Sequence, residues 1–92
     1  MPILSVSEFE AVLGQVCIKI DKALSERGDV PSLEEARRDL DNVMQNARDG
    51  KKVKLLRKKL ESASETVCGE IGGDEKLRDD LWDCIDYVDY RL

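Results

Sequence analysis

An all-α, four-helix up-down antiparallel bundle is the fold this 92-residue sequence predicts, and three observations predict it. Apolar residues recur at steps of three and four along most of the chain, the spacing that puts them on one face of a helix. Strand-like alternation is confined to fragments too short to pair. The periodic stretches are separated by glycine, proline and N-cap residues, with connections short enough to force consecutive helices antiparallel.

The first helix has two candidate starts. Ser5 precedes Glu8 and Ser7 precedes Glu10 by three residues, and either pair can satisfy the unpaired amides of a first turn. Phe9, Val12, Leu13, Val16, Cys17, Ile20, Ala23 and Leu24 then form its inward stripe, and Gly28 stops it. Pro31 bars that helix from continuing, with Ser32 as predicted cap of the second and Glu35 completing a capping box. Leu33, Ala36, Leu40, Val43, Met44 and Ala47 are its inward residues.

Asp49-Gly50 interrupts this stripe, which resumes out of phase as Val53, Leu56, Leu60, Ala63 and Val67. A tight turn at Gly50 is the predicted reading. The alternative is three helices, with the second and third merged from Leu33 to Cys68, because one glycine costs a helix only about 1 kcal/mol. "GEIGG", Gly69 to Gly73, is the next break, since three glycines in five residues remove helix propensity. Asp74 is placed to cap the fourth helix, whose inward residues are Leu77, Leu81, Cys84, Ile85 and Val88.

Length and composition bound the rest. Residues 1–92 are expected to form a single domain that buries roughly 60 to 65% of its unfolded surface. The chain is 41% hydrophobic, too apolar for disorder, and its 38% of charged residues break every apolar run before it could span a membrane. The opening "MPILSVSEFE" lacks the basic and apolar regions of a secretion signal, so the expected address is cytoplasmic. Cys17, Cys68 and Cys84 are odd in number and far apart, which predicts reduced thiols rather than a disulfide framework. With no histidine and no CxxC pair, neither a metal site nor a cofactor is expected.

Charge is the main functional signal. The net charge of −5 divides unevenly, +4 falling on residues 51–68 and −5 on residues 69–92. The stretch "KKVKLLRKKL" makes Lys51, Lys52, Lys54, Lys58 and Lys59 candidates for binding a nucleic acid or another polyanion, since clustered cations release counterions on meeting one. The plainer expectation is that these lysines answer acidic neighbouring helices and solvent. The acidic chain, the lack of an aromatic in the basic run and the absence of helix-turn-helix spacing disfavour nucleic acid. Leu55 is the apolar residue of that run that faces away from the stripe.

The last segment, "LRDDLWDCIDYVDYRL", holds three of the four aromatics and five aspartates. At 100° per residue its apolar stripe fills an arc of about 100°, with Trp82 and Tyr87 flanking that arc on opposite sides. Either aromatic can lie over a seam with a neighbouring helix. Tyr90 projects from the acidic face and has no such role. Asp79, Trp82, Asp83, Asp86 and Tyr90 are therefore the candidate surface for a basic protein partner, in the manner of an adaptor, an inhibitor or a small acidic immunity or antitoxin-like protein. Ala11, Gly14 and Ile18 give the first helix a second, small-residue flank, a candidate self-association surface for a homo-oligomer.

Catalysis is not expected. Helix-surface carboxylates lack the apolar cleft that raises a pKa into the working range, and no histidine, strand-borne glycine loop or locally activated nucleophile accompanies them. In "GEIGGDEK" the glycines resemble a phosphate loop, but Asp74 and Glu75 would repel the anion.

Overall fold

Four helices account for the fold in the computed structural model, which describes residues 3, 5–28, 30–50 and 53–90. They are α1 (Val6–Arg27), α2 (Pro31–Asp49), α3 (Val53–Glu70) and α4 (Glu75–Tyr90). No strand occurs among the described residues. Each helix packs against its neighbours in the order α1, α2, α3, α4 and back to α1, so the four stand as a square with two diagonals. Cross-links between helices report their directions: Arg48 near the end of α2 reaches Glu10 near the start of α1, and Arg57 near the start of α3 reaches Asp89 near the end of α4. Neighbours are antiparallel. The 22 residues of α1, at about 1.5 Å each, span nearly the whole 35 Å long axis of the molecule.

The punctuation residues work as chemistry requires, with two corrections. Ser5, not Ser7, caps α1, its Oγ accepting from the Glu8 amide at 3.2 Å. Gly28 ends α1 at φ 82°, a conformation that a side chain would resist. At α2 the expected Ser32 cap and capping box do not form. Val30 is the N-cap with no side-chain bond, and Pro31 is the first helical residue. Proline supplies a helical φ and has no amide to satisfy there, so the helix starts two residues earlier than a serine cap would place it. The Ser32 hydroxyl instead donates to Glu70 Oε1 across the α2–α3 seam at 3.4 Å.

Gly50 settles the number of helices. It is left-handed, at φ 69° and ψ 24°, and its amide returns to the Ala47 and Asn46 carbonyls, which closes α2. The merged three-helix alternative is therefore excluded. The second break is narrower than the glycine run suggested, because α3 carries Gly69 and Glu70 and the chain turns only at residues 71–74, with Gly73 at φ 88°. Asp74 then caps α4, accepting from the Leu77 amide at 3.0 Å.

The core lies along the bundle axis, and Leu13, Ile20, Leu33, Leu40, Leu60, Leu81 and Cys84 are among its buried residues. Every expected inward residue of α4 is buried, as are those of α3 apart from Val53, whose side chain lies outside the described residues. Val12, Leu24 and Met44 are half-buried at the core's edge, where Ile71 of the α3–α4 turn joins them. Tyr87 goes deeper than a seam position. It is 5% exposed and stacks on Phe9 of α1, with centroids 5.1 Å apart and planes at 28°.

Candidate partner-binding face on α4

The outer surface of α4 is built by helical spacing. Asp79, Trp82, Asp86 and Tyr90 follow one another at intervals of three, four and four residues, so they form one ridge pointing away from the core. Trp82 is 58% exposed and Tyr90 80% exposed, which leaves two large rings facing solvent on one helix.

The carboxylates around those rings differ in their engagements. Asp89 accepts from Arg57 Nε, and Asp80 receives Lys76 Nζ at 3.3 Å. Asp83 is half-buried and already takes part in an interaction within the chain. Asp79 and Asp86 are exposed and form no ion pair with another described residue. The structure thus gathers Asp79, Trp82, Asp86 and Tyr90 on one ridge and sets Asp83 at its edge.

Beside Trp82 lies a feature that wheel geometry does not reveal. An open groove of about 210 Å³ runs along the α3–α4 seam, floored by Leu81 and Ile85, walled by Trp82, and rimmed by Glu61 and Glu65 of α3. It exists because α3 presents small side chains there. Ser64 and Cys68, four residues apart, face α4 where a leucine would have covered the indole. Ser64 turns its hydroxyl back to the Leu60 carbonyl at 2.6 Å and offers nothing to the groove. A second hollow of about 260 Å³ around the α3–α4 turn shares Cys68 and Arg78 with the first. The sequence signal for the groove was the small pair on the flank of the α3 stripe.

The basic candidates divide. Lys54 and Lys58 are exposed, Lys59 is half-buried, and none of the three pairs with a described carboxylate. Lys51 and Lys52 lie outside the described residues. Arg57 is the basic residue of α3 that answers the neighbouring helix, bonding Glu61 Oε2 at 2.8 Å as well as Asp89. On α1, Ala11 and Ile18 are exposed and a Cβ built on Gly14 meets nothing within 4 Å, so the small-residue flank faces open space.

The buried thiols Cys17 and Cys84 are held in the unreactive form, and half-buried Cys68 opens onto the groove. Burial pushes Cys17 up to about 11 and Cys84 further in the same direction, and it raises half-buried Cys68 despite the nearby Arg78 guanidinium. All three are free. Among the described residues no group of histidine, cysteine, aspartate or glutamate is placed to hold a metal ion, and no helix is long and apolar enough to cross a membrane. Comparison with family models, curated proteins and solved structures gives no match, so the chemistry of these surfaces is what bears on function.

Proposed function

We propose that the chain is a cytoplasmic protein–protein interaction module, acting as an adaptor, an inhibitor or an immunity or antitoxin-like protein, which presents the outer face of α4 to a basic partner. One observation carries this reading: Trp82 and Tyr90 stand exposed on the ridge that also holds Asp79 and Asp86, neither of which is paired with a described residue. Rings of this kind give rigid contact area at small entropic cost. Carboxylates beside them steer a cationic surface into register and speed its approach.

The test is affinity capture from the native host with the wild type and with Asp79→Lys/Asp86→Lys. A basic protein retained by the wild type and lost by the variant supports the reading, provided the variant's circular dichroism melt is unchanged. Identical captured sets would sink it.

A second reading has its own observation. Lys54 and Lys58 are exposed on α3 without a described counter-charge, which favours a polyanion. That reading predicts heparin binding that weakens with salt and disappears on neutralising Lys54 and Lys58. The small flank of α1, with Ile18 59% exposed, is the surface on which a homo-oligomer would form.

A further inference from the structure

We propose that the groove between α3 and α4 is a socket for one lysine or arginine side chain of the basic partner. The aliphatic stem would lie along Trp82, Leu81 and Ile85, and the charged head would sit between Glu61 and Glu65. This inference rests on the α4 reading above and extends it to a second helix.

The groove's polarity selects the occupant. Its floor is apolar, Leu81 being 1% and Ile85 5% exposed, and its wall is a half-covered indole. The α3 rim carries two carboxylates one turn apart. Glu61 already receives Arg57, whereas Glu65 is exposed and pairs with no described cation. Cys68 and the cationic Arg78 close the other end, about two turns along α3 from Glu61, so the occupant's charged head is placed at the Glu61–Glu65 end, away from the guanidinium.

An aliphatic side chain could fill the floor but would leave the exposed charge of Glu65 unanswered. An acidic side chain meets the rim carboxylates head-on. Lysine and arginine match both parts, because each has an apolar stem that buries and a cationic head that stays at the polar edge. A head that reaches over the ring of Trp82 gains a cation–π attraction as well. Asp79 and Asp86 on the adjoining ridge extend the same sign of charge, so the partner's anchor is flanked by further basic residues.

The chain supplies its own probes. Trp82 is the single tryptophan, and Cys68 is the one half-buried thiol, Cys17 and Cys84 being buried. Full-length protein is titrated with a synthetic amphipathic helical peptide of lysine and leucine, followed by Trp82 fluorescence, with the same peptide bearing glutamate for lysine as control.

Saturable, salt-weakened binding of the lysine peptide alone is expected. Glu65→Lys is expected to weaken it at least tenfold. Alkylating Cys68 with N-ethylmaleimide is expected to block it in the wild type, while Cys68→Ser binds normally with or without the reagent. Circular dichroism verifies that each protein is folded.

Binding within twofold of wild type in both Glu65→Lys and the alkylated protein, together with its loss in Asp79→Lys/Asp86→Lys, overturns the socket and leaves the α4 face standing. Equal binding by all variants, binding of the glutamate peptide, or no binding by the wild type overturns both.

Discussion

The two flanks of α4 carry one aromatic each and treat it in opposite ways. Toward α1, Tyr87 is buried against Phe9, and Lys19 Nζ bonds Asp74 at 2.9 Å further along the same seam. Toward α3, Trp82 stands 58% exposed over a groove, and Arg57 closes one end of the seam through Asp89. Both rings flank the same apolar stripe. What separates them is the opposing helix, which offers a phenylalanine on one side and Ser64 with Cys68 on the other. A flanking aromatic is core where its neighbour fills the space and faces solvent where it does not.

The sharpest way to break this comparison is to truncate both rings. Tyr87→Ala removes a buried ring and its stacking on Phe9, and is expected to cost about 3 kcal/mol or more. Trp82→Ala removes a half-exposed wall and is expected to cost less than about 1 kcal/mol. Urea melts of the two variants measure both. Similar losses would mean that the α3 flank is packed as firmly as the α1 flank, and the groove would lose its meaning as a free surface.

The contrast also marks how far the sequence could be read. The inward stripe of α4 was legible, because helical period alone decides which residues share a face, and Leu77, Leu81, Cys84, Ile85 and Val88 are all buried. Gly50 was legible as a turn, and its left-handed φ is what a single residue's chemistry predicts. The caps were half legible. Ser5 and Asp74 cap as expected, while Pro31 displaced Ser32 because a preset φ outcompeted a hydroxyl. The fates of Tyr87 and Trp82 were not legible, since they depend on which side chain of another helix stands opposite. That depends on helix rotation and spacing, which local pattern does not encode. Glu61 and Glu65 were missed for the same reason.

Filling the groove would turn one flank into the other. Cys68→Leu adds methyl groups to the groove at a half-buried position with room to take them. It is expected to stabilise the fold by about 1 kcal/mol, at about 0.8 kcal/mol per buried methylene, and to shift Trp82 emission to the blue. Partner capture should fall as stability rises. A variant that gains stability and keeps capture would show that the groove and the binding face are separate.

The start of α4 gives an effect whose dependence on pH identifies its origin. The Leu77 amide, more than the Lys19 ammonium, holds the Asp74 carboxyl below its usual value. A carboxyl depressed in the folded state stabilises above its unfolded pKa, near 4, and that contribution disappears as pH falls through the folded value. Asp74→Ala is therefore expected to lower stability at pH 7, as lost caps do. The gap in thermal stability between variant and wild type should narrow as the pH is taken below 4. A gap that persists unchanged in acid would assign the loss to packing around the turn instead.

The smallest effect compares the outer face of α4 with that of α1. Gly14 lies inside a helix at ordinary φ with nothing within 4 Å of a built Cβ, so an alanine there meets no obstacle. Alanine is favoured over glycine in a helix interior by about 0.5 to 1 kcal/mol, because less chain entropy is lost on folding. In a monomer, Gly14→Ala should stabilise by that amount at every protein concentration. If a second helix packs closely on Ala11, Gly14 and Ile18, the added methyl group strikes it, and the variant loses dimer relative to wild type as concentration rises. Sedimentation at several concentrations, run beside thermal melts, reads both quantities. A uniform gain would leave α1 as a solvated outer face and α4, with its exposed rings and its groove, as the surface proposed for recognition.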